Sequence, residues 1–191
     1  MINNIINKVK GLIAYDTTPK ELIVERFIKD NDVKSYAEIG VFKGKLFHHV
    51  LKHTDVKIAY AIDSWGENDY KDNFADGLSE VTTLLDAYET FCAGIRYKDW
   101  NRVKILKKNS IKASKEIENN SLDMIFIDAD HRYKAVLDDL KHWYPKVRKG
   151  GIIAGHDYSI NVFSVMMAVW KYFGTADNIK VGKDNTWWTI K

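Results

Sequence analysis

The chain has 191 residues, of which 46% are hydrophobic, 29% charged and only two are proline, a composition that fits one folded domain and excludes a low-complexity or disordered chain. Its 29 basic and 26 acidic residues leave a net charge of +3, with no basic block of the kind that tracks phosphates, which argues against a nucleic-acid partner. The single cysteine, Cys92, excludes an internal disulfide and a Cys-rich zinc site.

Taken in chain order, Ile2, Ile5, Ile6, Val9, Leu12 and Ile13 recur at helical spacing, which predicts an amphipathic helix packing on the domain or on a second subunit. No run approaches the roughly 20 apolar residues that span a bilayer, and no apolar signal segment opens the chain, so a cytoplasmic protein is expected. Thr18-Pro19-Lys20-Glu21 reads as a capping box with Pro19 in the first helical position, opening a helix through Phe27 and Ile28. Strand-like and helical runs then alternate: Ser35–Ile39 and Leu46–Leu51, Val56–Ile62 and a variable stretch, Val103–Leu106 and Ile111–Ile117. Met124–Ile127, the helical stripe Tyr133–Tyr144 and Gly151–Ala154 continue the rhythm. Strands separated by helical crossovers predict a mostly parallel sheet with helices on both faces. After the stripe from Val162 to Phe173, Ile179–Val181 and Thr186–Ile190 flank a tight turn, which predicts a closing antiparallel hairpin. The domain proper is expected over residues 34–191, with helices of 1–33 packed on it. The variable stretch carries Trp65, Tyr70, Phe74 and Trp100, and residues 66–78 are expected to form a substrate lid.

Three motifs carry chemistry. Glu38-Ile39-Gly40-Val41-Phe42-Lys43-Gly44 ends a strand in an acid and a glycine turn before a helix, where backbone N–H groups can approach a ligand. About 20 residues on, Asp63 ends the next strand, where a carboxylate can accept both hydroxyl hydrogens of a ribose. Finally, Asp128-Ala129-Asp130-His131 and His156-Asp157 stand at the ends of two strands, and the short crossover between them predicts adjacent strands with convergent tips.

This succession, together with Lys149-Gly150-Gly151 and Gly155-His156-Asp157-Tyr158, resembles the class I S-adenosylmethionine (SAM)-dependent methyltransferases, especially the macrocin- and catechol-type O-methyltransferases, over roughly residues 34–191. The resemblance implies a Rossmann-like, seven-stranded α/β sheet whose last strand is antiparallel. It further implies that Glu38, Gly40 and Gly44 shape the methionine side of a SAM pocket, that Asp63 holds the ribose and that Ser110 lies against adenine. Asp128, His156 and Asp157 are then the expected ligands of a divalent cation such as Mg²⁺, with Asp128 also bordering the cofactor, and Asp130 or His131 the expected general base. Many metal-dependent members carry Asp-Asp or Asp-Asn where this chain has His156-Asp157.

The implied reaction is transfer of a methyl group to a hydroxyl of a small sugar- or phenol-like molecule, a nucleophile that must be aligned with the C–S bond and stripped of its proton. Three alternatives stay open. The acid after the second strand would also serve a nicotinamide-dependent oxidoreductase, although the spacing Gly40-x-x-x-Gly44 lacks the third glycine of the dinucleotide turn. A non-catalytic partner subunit could keep the same fold. His131, His156 and Asp128 could form an Fe²⁺ oxygenase triad, but the strand–helix alternation disfavours it. A homodimer is the expected assembly.

Overall fold

The computed structural model describes residues 19–66, 81–174 and 178–191. The amphipathic helix expected near the start, Thr18 of the capping box and all of the expected lid except Gly66 lie outside the described residues. Helix α1 spans Lys20–Asp30, and Pro19 precedes it with φ −59° and ψ 151°. The extended ψ puts Pro19 just outside the helix, one position earlier than the sequence reading placed it. Its carbonyl still accepts the Leu22 and Ile23 N–H groups, at 3.0 and 3.3 Å.

The remaining elements alternate as expected. They are β1 (Ser35–Ile39), α2 (Lys45–His53), β2 (Ile58–Asp63), α3 (Val81–Gly94), β3 (Val103–Lys107) and α4 (Ser110–Ser114), then β4 (Leu122–Ile127), α5 (Tyr133–Trp143), β5 (Val147–Gly155), α6 (Phe163–Phe173), β6 (Lys180–Val181) and β7 (Trp187–Ile190). The seven strands form one sheet in the order β3-β2-β1-β4-β5-β7-β6. Strands β1 to β5 pair in parallel, and β7 runs antiparallel to both β5 and β6.

Side-chain alternation explains why this sheet needs helices on both faces. In β4, Met124 and Phe126 join the cluster that contains Phe27, Phe47 and Phe91, while Ile125 and Ile127 join the one that contains Val136, Leu140, Trp143 and Val165. A strand buried on both sides reads as an unbroken apolar run, which is how Met124–Ile127 stands in the sequence. Helix α1 buries Ile23, Val24, Phe27 and Ile28 in the first of these cores, with Phe27 5.1 Å from Trp188 between ring centroids.

The boundaries of β5 and α4 differ most from the sequence reading. Strand β5 begins at Val147 and runs through Gly150 and Gly151, because Lys191 at the end of β7 extends the ladder there: Gly150 N–H donates to Lys191 O at 2.7 Å and Lys191 N–H to Gly151 O at 3.0 Å. Helix α4 ends early, at Ser114, although its start is capped by the Asn109 side chain, which accepts from the Ile111 and Lys112 N–H groups. Among the described residues, no helix is long and apolar enough to cross a membrane.

Candidate functional site

The strand order reverses between β1 and β4, and in an open parallel sheet the crevice beyond the strand ends at such a switch point is where ligands sit. Ile39 is level with both Ile62 and Ile127, and Ile127 with Gly155, so the residues that follow β1, β2, β4 and β5 emerge side by side. Gly40, Asp63, Asp128, His156 and Asp157 all lie on this edge. The strand pairing of β4 with β5 expected from the short crossover is observed.

The glycine turn is tied down from below. Gly40 has φ +89°, and its N–H donates to Ile62 O at 2.9 Å. A Cβ at Gly40 would lie 2.1 Å from the Asp128 carbonyl oxygen, so only glycine allows β1 and β4 to approach so closely here. Gly44, φ +79°, stands immediately before α2, and a Cβ on it would meet the Phe91 ring at 2.5 Å. Between the two glycines, the Val41 and Phe42 N–H groups donate to Asp63 Oδ2 at 2.9 and 2.8 Å, while the Trp65 N–H donates to Asp63 Oδ1 at 2.9 Å. Burial raises the Asp63 pKa and these backbone donors oppose the rise. Asp63 thus shapes the turn as well as ending β2. Trp65, one of the aromatic residues of the variable stretch, is buried: its Nε1–H donates to Phe42 O at 2.7 Å and its ring stacks on Phe91.

Glu38 lies beneath the turn, 2% exposed, and accepts the Tyr36 hydroxyl hydrogen at 2.8 Å. Burial pushes its carboxyl up to about 8, against the Tyr36 hydrogen bond, so it is largely protonated at neutral pH.

At the tips of β4 and β5 the charges interlock. His131 Nε2 is 3.0 Å from Asp157 Oδ2 and 3.8 Å from Asp128 Oδ1, and ligating atoms of these three residues lie within 4.8 Å of one another. Hydrogen bonding to Asp128 and Asp157 holds the His131 imidazole up to about 10, so it is a cation at neutral pH. Asp157 is held far below the usual carboxylate range by His131 first and His156 second. His156 Nδ1 lies 3.3 Å from Asp157 Oδ1, and this contact lifts the His156 pKa although burial pulls it down. Asp157 also adopts φ +61°, a left-handed conformation that Asp tolerates better than most residues and that is found where a site demands it. The imidazole that the fold brings between both carboxylates is therefore His131, with His156 beside Asp157.

The sequence pattern of a family described as a methyltransferase domain matches residues 37–158, which takes in every one of these strand tips. The chain belongs to this methyltransferase family. An uncharacterized protein of Acanthamoeba polyphaga mimivirus is 27% identical over 138 residues, covering 72% of this chain and 57% of its own length. A protein of Sinorhizobium fredii is 24% identical over 114 residues, 60% of this chain and 11% of its own length. The chain thus spans about half of one curated relative and a small part of the other. Among solved structures, the fold is similar to an O-methyltransferase from Bacillus cereus in complex with S-adenosylhomocysteine (SAH), with TM-score 0.60, 14% identity and coverage of 97% of this chain and 87% of that one. It is also similar to a Staphylococcus aureus protein assigned as a caffeoyl-CoA O-methyltransferase, with TM-score 0.63, 16% identity and coverage of 98% and 91%.

Three other residues of the methyltransferase are placed differently from what their sequence positions suggest. The Ser110 hydroxyl donates to Asp139 at 2.5 Å and accepts from Trp143 Nε1–H at 2.7 Å, so its hydrogen and one of its two lone pairs are spent inside the fold. Asp130 accepts the Arg132 N–H and Nε–H, each at 2.8 Å, so its carboxylate closes the turn before α5. Lys20, the first residue of α1, reaches across to pair with Asp128. Burial lowers the Lys20 pKa but Asp128 outweighs it and the net shift is upward, so the ammonium stays charged. Nothing in the sequence singles out Lys20, since a lysine opening a helix reads as solvated.

The site fits the cofactor of its family on the chemistry of its donors: a backbone turn that only glycine can form, with the Glu38 carboxyl group under it, beside the Asp63 carboxylate at the end of β2. Asp63→Ala is expected to weaken SAH binding by about 1.5–3 kcal/mol, the range for hydrogen bonds to a charged group, measured by calorimetry. Equal affinity of the variant and the parent would remove Asp63 from the cofactor site.

Proposed function

We propose that this methyltransferase moves the methyl group of SAM to a hydroxyl oxygen of a small molecule, a sugar or a phenol, and that a divalent cation assists. The observation that carries the reading is the convergence of Asp128, His131 and Asp157 beside the glycine turn. Two carboxylates and an imidazole suit Mg²⁺, Mn²⁺, Fe²⁺ or Zn²⁺. Such a cation, when bound, lowers the pKa of a hydroxyl that it contacts.

In this reading Glu38, Gly40, Gly44 and Asp63 form the methionine and ribose side of the pocket. The hydroxyl of Ser110 is already in use, so the adenine contact falls to the main chain around Asn109 and Ser110. Asp128 and Asp157 hold the cation. His131, already between them, is the third ligand in place of His156.

The proton acceptor then shifts as well. Asp130 is held by Arg132, and a His131 whose ring lone pair goes to the cation, its proton lost to solvent, has none left for the substrate. His156 is better arranged. Its Nδ1 faces the Asp157 carboxylate, which orients the ring and leaves Nε2 to take a proton, the logic of an acid–imidazole pair. In the transfer the substrate O–H bond breaks toward His156 Nε2, the O–CH₃ bond forms, and the S–CH₃ bond breaks with its electron pair leaving on the sulfur of SAH. Lys20, which opens α1, pairs with Asp128 and so sets a positive charge beside the residues that would hold the cation.

The test is transfer of labelled methyl from SAM to a panel of hydroxylated acceptors. Excess EDTA is expected to abolish transfer and Mg²⁺ or Mn²⁺ to restore it. His156→Gln is expected to reduce kcat by about 10²–10⁴-fold and to remove the acidic limb of the pH profile while SAM binding persists. Full activity in EDTA would exclude the cation, and an unchanged His156→Gln profile would exclude the assigned base.

A further inference from the structure

On the outer layer, away from the strand tips, α2 presents His49 and His53 four residues apart, so both rings emerge on the same side of the helix. Their ring centroids are 4.2 Å apart. Helix α1 runs alongside in the same direction: Glu21 pairs with Lys45 at 2.8 Å near the strand tips, and one turn further Glu25 Oε2 meets His49 Nε2 at 2.6 Å. The other Glu25 oxygen is occupied by Lys29 at 2.6 Å, which draws the carboxylate into place and holds its pKa down. A ligating atom from each of Glu25, His49 and His53 lies within 4.8 Å of the others.

The tautomer of His53 is fixed by its neighbour. Its Nδ1 lies 3.1 Å from the His49 carbonyl oxygen, and a carbonyl can only accept, so Nδ1 carries the hydrogen and Nε2 carries the lone pair. A ring N–H donated to a backbone carbonyl is the arrangement that orients a metal-ligating imidazole and raises its basicity. The side chains of Glu25 and His49 are each 19% exposed, whereas His53 faces solvent, so an ion has a route in.

We propose that Glu25, His49 and His53 form a second cation site, separate from the strand tips, that takes Zn²⁺ or a similar nitrogen-preferring divalent ion and clamps α1 to α2. Two nitrogen donors and one carboxylate oxygen, with a fourth position open to water, suit Zn²⁺, Ni²⁺ or Cu²⁺ and disfavour Mg²⁺, which prefers oxygen ligands in octahedral array. Binding replaces the proton on His49 Nε2, which leaves to solvent, and the contact with Glu25 opens from 2.6 Å to roughly 3.3 Å around a tetrahedral ion. Because α1 begins with Lys20, the partner of Asp128, the clamp also holds that ammonium over the strand tips.

The test is a titration of EDTA-stripped, desalted full chain with Zn²⁺ against a chromophoric chelator, alongside NMR of the imidazole C–H resonances. Zn²⁺ is expected to shift the His49 and His53 resonances together and to raise the melting temperature, and millimolar Mg²⁺ is expected to leave both resonances unmoved. His53→Ala, which removes an exposed ring, and Glu25→Gln are each expected to lower the stoichiometry by one equivalent or the affinity of that step by about tenfold or more. His49 and His53 resonances unmoved by Zn²⁺, or unchanged stoichiometry and affinity in both variants, would overturn the proposal. Binding confined to the Asp128, His131 and Asp157 cluster would do so as well, while leaving the methyl-transfer reading standing.

Discussion

Gly40→Ala is expected to cost about 3–5 kcal/mol of stability and to abolish SAH binding. Two terms add. A non-glycine residue at φ +89° carries about 1–2 kcal/mol of backbone strain, and the new methyl would lie 2.1 Å from the Asp128 carbonyl oxygen and 2.6 Å from Ala129 Cα. Both obstacles are backbone, so no side chain can swing aside, and relief requires β1 and β4 to separate, which puts the cost in the upper part of the usual overpacking range, about 2–3 kcal/mol of about 1–3. In a chain of 191 residues this lowers the melting temperature by roughly 6–20 °C. The cofactor loss follows because Gly40 opens the turn itself, and pushing it away from Asp128 shifts the Val41 and Phe42 amides that Asp63 holds in place. Calorimetric unfolding and SAH titration of the variant check both halves. A variant with the parent's melting temperature and SAH affinity would show that the close approach is not required.

Asp157→Asn is expected to reduce methyl transfer by about 10²–10⁴-fold with little loss of fold. The substitution keeps the shape, and Asn tolerates the left-handed φ of +61° that Ala would not. What it removes is the charge that organises both imidazoles. Without the negative charge neither ring keeps its ion pair at this position, 3.0 Å from His131 and 3.3 Å from His156, and the one amide oxygen that is left can face only one of them. Both pKa values should fall toward the ordinary 6.5, which NMR titration of the ring protons reads directly. Parent-level transfer with unshifted histidines would place the chemistry elsewhere.

The architecture was legible because buried strands and amphipathic helices write different periods into the sequence. Met124–Ile127 is an unbroken apolar run because both faces of β4 are covered, and the stripe from Tyr133 to Tyr144 buries Val136 and Leu140 at helical spacing. The strand tips were legible for the same reason, since a titratable residue immediately after such a run must emerge at the sheet edge. What lay beyond reach was pairing between distant elements. Lys20 and Asp128 are 108 positions apart, and only the docking of α1 on the first core brings them together. The choice between His131 and His156 depends on how the turn before α5 points its side chains, which spacing does not specify. The partners of Ser110 were out of reach in the same way, since its hydroxyl bridges Asp139 and Trp143, 29 and 33 positions further along the chain. Asp63, read from the sequence as a ribose ligand, accepts three backbone N–H groups, a contribution to the turn that spacing does not disclose.

The most direct measurement is isothermal titration of the purified chain with SAH, run in parallel with NAD and NADH. A single saturable SAH site, weakened in Asp63→Ala and accompanied by no response to either nicotinamide, is the result predicted by a glycine turn built to face a nucleoside without a pyrophosphate. Binding of a nicotinamide cofactor in preference to SAH would contradict the assignment of this crevice to methyl transfer.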